Sequence, residues 1–148
     1  MKIEMLALVS MAAIFTGCSG NVPDTIGLKE GKLAECSSKP NCVSSMTKDK
    51  PHFIEPFVYS GDFNKAKTSI VEIIKSQDRT DIISDTDNYI HAVFKSKLFR
   101  FADDVEFLID DKNKIIHVRS ASRVGYSDMG VNRKRIEILR VLFLQKMK

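Results

Sequence analysis

The sequence is poor in the side chains from which metal and nucleophile sites are most often built. Its three histidines, His52, His91 and His117, are scattered, and none lies near the cysteines Cys18, Cys36 and Cys42 to complete a ligand set. No metal centre is expected, and each histidine reads as a surface or packing residue. Ser120, Ser122 and Ser127 lack the elbow of a serine hydrolase, and the glycines form neither a phosphate-loop nor a dinucleotide-binding pattern. No cofactor is expected either. Long hydrophobic runs are also missing. The most apolar stretch, residues 5–15, would rise only about 16 Å as a helix, against roughly 30 Å of hydrocarbon, which excludes a stable membrane span there. No internal repeat is visible.

What residues 1–17 do contain is the order of a secretory signal: Lys2, the apolar stretch, then Thr16 and Gly17 before Cys18. Phe15-Thr16-Gly17-Cys18 resembles the lipobox of bacterial lipoproteins, in which small residues admit the peptidase and the cysteine thiol takes a diacylglycerol. Phe15 stands where leucine is usual. The expectation is therefore a lipoprotein signal peptide over 1–17 and a lipidated Cys18, with palmitate among its acyl chains, as the mature N-terminus. The alternative is an ordinary signal peptide cleaved nearby, leaving Cys18 a free thiol. Each buried acyl methylene contributes roughly 0.8 kcal/mol, so several chains on one residue would hold the protein to a bilayer. Ser19, where aspartate would favour inner-membrane retention, points by the same resemblance to the outer membrane, facing the periplasm.

Assigning Cys18 to lipid leaves an even pair, as an oxidising compartment favours. Cys36 and Cys42 bracket Ser37-Ser38-Lys39-Pro40-Asn41, a turn-forming composition, and are expected to form a disulfide. Residues 18–35 are polar, glycine-punctuated and without periodicity, and read as a lipidated tether. Residues 36–148 suffice for a single domain with one modest core. Removing residues 1–17 takes away one charge of each sign, Lys2 and Glu4, so the net charge stays at +4. That mild excess suits an anionic surface or glycan, and with an envelope location it gives no ground for nucleic-acid binding.

Over residues 62–77, Phe63, Ala66, Ile70, Ile73 and Ile74 recur at helical spacing, with Asp62 placed to cap. Two β-forming runs, 81–84 and 89–95, flank the turn cluster Asp85-Thr86-Asp87-Asn88. A clearer hairpin joins 103–109 to 115–122 through Asp111-Lys112-Asn113-Lys114. Symmetric closure sets Glu106 opposite Arg119, Phe107 opposite Val118 and Leu108 opposite His117. Alternation then gives a core face of Val105, Phe107, Ile109, Ile116 and Val118. The other face is polar, with Asp104, Glu106, His117 and Arg119 beside Leu108 and Ala121. A last helix over 132–147 carries Ile136, Leu139, Leu142, Phe143 and Met147. Helix, four strands, helix leaves no room for parallel crossovers. An α+β fold is expected: a four-stranded antiparallel sheet with both helices on its apolar face.

Several stretches resemble a known but uncharacterised family, the domain-of-unknown-function family 1499 of bacteria and plants. They are Leu33-Ala34-Glu35-Cys36, Pro40-Asn41-Cys42-Val43-Ser44-Ser45, His52-Phe53-Ile54-Glu55-Pro56, the run 99–107, and the run 119–137 that contains Arg123-Val124-Gly125-Tyr126-Ser127-Asp128-Met129-Gly130. The resemblance spans about residues 33–140 and implies a shared fold and shared special residues, but no activity.

Two constellations could carry chemistry. Asp103, Asp104 and Glu106, with His117 and Arg119 across the hairpin, could form a cation site or an acid/base pair; the alternative is an ion-pair network with Arg119, Arg123 or the basic start of the last helix. The loop 123–130, with Arg123, Tyr126, Ser127 and Asp128, runs into Asn132, Arg133, Lys134 and Arg135. Free backbone N–H groups and cations there would suit a phosphate or carboxylate; the alternative is a tight connection with Asp128 capping locally. The leading expectation is a non-catalytic envelope lipoprotein that binds an anionic ligand or an envelope partner through Arg119, Arg123 and this loop. The others are a small hydrolase or transferase using Asp104, Glu106 and His117, and a purely structural module. Oligomeric state is left open.

Overall fold

The fold is described from a computed structural model, for residues 20–148. The expected signal peptide over 1–17 and the expected lipidation at Cys18 lie outside the described residues. In chain order the elements are β1 (Cys42–Ser44), β2 (Phe57–Val58), α1 (Phe63–Lys75), β3 (Thr80–Asp85), β4 (Tyr89–Lys95), β5 (Ala102–Asp110), β6 (Ile115–Ser122) and α2 (Val131–Met147).

The helices and the four long strands form where periodicity places them. Asp62 caps α1, its carboxylate accepting the Lys65 N–H at 2.8 Å. The β5–β6 hairpin closes in the expected register, Glu106 opposite Arg119 and Leu108 opposite His117. Ala66, Ile70, Ile73 and Ile74 of α1 and Ile136, Leu139 and Phe143 of α2 share one core with Ile90, Ala92, Val105, Phe107, Ile109, Ile116 and Val118. Both helices therefore cover the apolar face of one antiparallel sheet, and that burial is the main favourable term in the fold.

The sheet is larger than expected. It has six strands in the order β1-β6-β5-β4-β3, with β2 also paired to β6. β1 pairs with residues Arg119, Ser120 and Ala121, and β2 with Ile115 and Ile116, so the two short strands close the outer edge of β6 in succession. Three and two residues are too few to show alternation, so the sequence pattern gives no sign of them. At the opposite edge, β3 carries a register shift between Ile82 and Ser84.

The polar face is the second difference. Residues 20–35, read above as a tether, contain no helix or regular strand, yet they lie down across that face. Leu33 is buried in a small cluster with Tyr89 and Leu108, and the Gly27 N–H donates to the Glu106 carboxylate at 3.0 Å. Gly27 has φ +97° with open space where a Cβ would stand, so its glycine serves the backbone angle rather than a close approach. The sheet is thus helix-covered on one side and strapped by irregular chain on the other.

Candidate functional site

Under this strap the strand alternation gathers a buried set of charges. β5 contributes Asp104 and Glu106, β6 contributes Arg119 with Arg123 just beyond it, and β4 contributes His91 opposite Glu106 and Val93 opposite Asp104. Glu106 is fully enclosed. One of its oxygens accepts from Arg119 Nη1 at 2.8 Å; the other accepts the Tyr89 hydroxyl at 2.7 Å and the Gly27 N–H. Asp104 takes both Nε and Nη2 of Arg123 at 2.9 Å, a bidentate pair, and His91 Nε2 at 2.8 Å. Burial alone would raise the Asp104 pKa, but the hydrogen bonds from His91 and Arg123 outweigh it and hold the carboxyl below the usual range. The same contact raises Arg123 against the opposing effect of its own burial. Burial and the bond to Glu106 push the Tyr89 phenol up, so it stays a donor.

The sequence-expected residues do not form one cluster. Asp103, grouped with Asp104 and Glu106 in the sequence reading, sits on the opposite face, where Arg135 Nη2 pairs with it. His117 shares the polar face but makes no hydrogen bond to Asp104 or Glu106. Ser45 Oγ accepts the Val118 N–H at 2.9 Å and is hydrogen-bonded to His117 Nδ1 at 3.3 Å. Burial lowers the His117 pKa, the Asp110 charge only partly opposing it. His91 and Tyr89, read from the sequence as surface or sheet residues, are the true partners of the carboxylates. Their signal was available: in β4, Ile90, Ala92 and Phe94 face the core, so Tyr89 and His91 must share the side of Asp104 and Glu106.

In the loop 123–130 and at the start of α2, most of the side chains offered to an anion are engaged from within, although Lys134 has no acidic partner among the described residues. Asp128 accepts the N–H groups of Gly130 at 2.9 Å and Asn132 at 2.8 Å, and so caps α2. Asn132 is fully buried, bonded to Ser120, Ser122 and the Asn41 carbonyl. Arg133 is held by the carbonyls of Pro51 and Phe53, and Arg135 by Asp103, Ser120 and Asn132 over the Phe94 ring. Ser127 Oγ accepts the Met129 N–H, and Tyr126 stands in solvent. Of the eight binding candidates, Arg119 and Arg123 alone line the cleft on the polar side.

That cleft, of about 350 Å³, lies beside the disulfide loop, which is formed as expected: Cys36 and Cys42 are bonded and both line the wall, with Lys39, Asp104, Arg119 and Arg123. Arg119 is only 5% exposed and gives Nη1 to Glu106, but its Nε–H has no hydrogen-bond partner; it is the sole buried side-chain polar atom among the described residues in that state. Among the described residues no three His, Cys, Asp or Glu side chains group as metal ligands, and no helix is long and apolar enough to cross a membrane.

Comparison with curated proteins finds no match. The family model for a protein of unknown function, DUF1499, matches residues 32–143, which takes in the disulfide loop, every strand, both arginines of the cleft and most of α2, and the chain belongs to that family.

Proposed function

We propose that this chain is a lipid-anchored, non-catalytic envelope module whose cleft beside the disulfide receives a carboxylate or phosphate group. The observation that carries the binding part is Arg119 Nε. A donor buried without an acceptor costs about 1–3 kcal/mol, and a ligand oxygen that reached Nε from the cleft Arg119 lines would remove that deficit. Lys39, whose ammonium has no acidic partner among the described residues, stands at the same cleft to meet the charge. The two inner arginines are already neutralised by Glu106 and Asp104, so their role is to fix the donor in place. The same pairing weighs against the hydrolase alternative. A general acid or base needs an oxygen free to exchange a proton with substrate, and all four carboxylate oxygens here are engaged. The anchor part rests on the lipobox-like residues ending at Cys18.

The test is nuclear magnetic resonance of the arginine Nε–H groups during titration with inorganic phosphate and with acetate. The Arg119 resonance should move saturably with at least one of them, and Lys39→Gln should weaken that response severalfold. If millimolar phosphate and acetate leave it unmoved, Arg119 Nε is not a ligand donor and the binding reading fails.

A further inference from the structure

The loops at one end of the sheet carry a combination that the cleft does not use. Lys95 lies opposite Ala102, Asp103 opposite Ser122, Cys42 opposite Ala121 and Thr80 opposite Phe94. The α1–β3 connection, the β4–β5 tip of residues 96–101 and the loop 123–130 therefore share that end. Its apolar side chains are in water: Leu98 is 79% exposed, Phe99 64% and Phe101 43%, with the two phenylalanine rings stacked at 5.5 Å; Met129 and Tyr126 stand out nearby. Among the described residues, Lys97, Arg100 and Lys134 at this end have no acidic partner. Lys97 and Lys134 also line a cleft of about 400 Å³ between the tip and α2. Aromatic and aliphatic side chains rimmed by unpaired cations match the two layers of an anionic bilayer surface, acyl boundary and phosphate plane.

A second observation fixes the direction. Gly20 lies at this same end: a Cβ there would stand 3.1 Å from Arg123 Cβ and Val124 Cγ1. Cys18 is two residues earlier in the chain, a distance of no more than about 7 Å.

We propose that this end of the molecule is a bilayer-docking surface, with Leu98, Phe99 and Phe101 entering the interface of an anionic membrane and Lys97, Arg100 and Lys134 meeting its phosphates. The apolar and basic tip makes the contact in its own right. The lipid, where the inference rests on the anchor reading above, enters the same leaflet beside it, so that anchor and tip hold the domain in one orientation.

The chain has no tryptophan, so one introduced indole reports alone. Mature protein carrying Phe99→Trp, in vesicles of phosphatidylethanolamine and phosphatidylglycerol, should show blue-shifted emission and quenching by brominated acyl chains. Val58→Trp, an exposed site toward the other end of the sheet, should stay water-like. In vesicles added to unlipidated chain, Lys97→Gln and Arg100→Gln should each weaken partitioning about fivefold. Water-like emission from the lipidated, vesicle-bound Phe99→Trp protein overturns the docking surface, as does equal quenching in the two tryptophan variants or partitioning indifferent to the two charge removals. Mass spectrometry of the Cys18 peptide judges the anchor separately: an unmodified peptide overturns that reading, while the Phe99→Trp emission with added vesicles still decides the docking.

Discussion

Glu106 shows how much a single side chain can organise. It is a carboxylate with no exposure at all, joined to three different parts of the chain through Arg119, Tyr89 and Gly27. Breaking a buried pair from one side strands the other charge, so Glu106→Gln and Arg119→Met should each destabilise by about 3 kcal/mol. The double variant should cost clearly less than the sum of the two, because it leaves no charge behind. Urea denaturation of the four proteins measures this, and additive costs would show that the pair is not coupled. This pair was legible in advance because a symmetric four-residue loop fixes register, and register fixes which side chains meet. The rest of the network was only partly so. Alternation puts His91 and Tyr89 on the polar side, but the connection from β4 to β5 does not fix which carboxylate each meets, and Gly27 sits in a segment with no period to read.

At the scale of elements, long periodic segments were readable and short dependent ones were not. α1, α2 and the four long strands each carry their own pattern, whereas β1, β2 and the strap exist only through what they lie against. Their anchor is the disulfide, which ties the end of the strap to the start of β1. Removing it with Cys36→Ser and Cys42→Ser should lower stability by about 2 kcal/mol on chain-entropy grounds for so short a loop. Because both cysteines line the cleft, the same change should also blunt the response of Arg119 to phosphate. The midpoint of denaturant unfolding and the titration together check it; a protein equally stable and equally responsive would mean the loop is held without the bond.

For the whole molecule, buried and half-buried ionisable groups shape the response to acid. His117 has its pKa lowered by folding, so the unfolded chain binds its proton more readily; the penalty is absent above about pH 6.5 and grows as pH falls below it. Asp104 is also lowered, so its contribution is complete well above about pH 3.9 and is lost as pH falls from there through the folded-state value. Both signs agree: melting temperature should fall on acidification in two stages. His117→Gln should flatten the first and Asp104→Asn the second, in melts recorded from neutral to acid pH. An acid limb unchanged by either substitution would place its origin elsewhere. The closed edge of β6 has a consequence of another kind. A sheet with a bare flank can recruit a strand from any neighbour, and a protein held on a surface meets its own copies at high local density. Here the short strands β1 and β2 seal one flank, and the other offers a strand kinked by its register shift and marked by Asp81 and Asp85, each bound to a lysine. Neither flank is a template for growth, so the crowding that the proposed anchor would bring need not lead to fibrils.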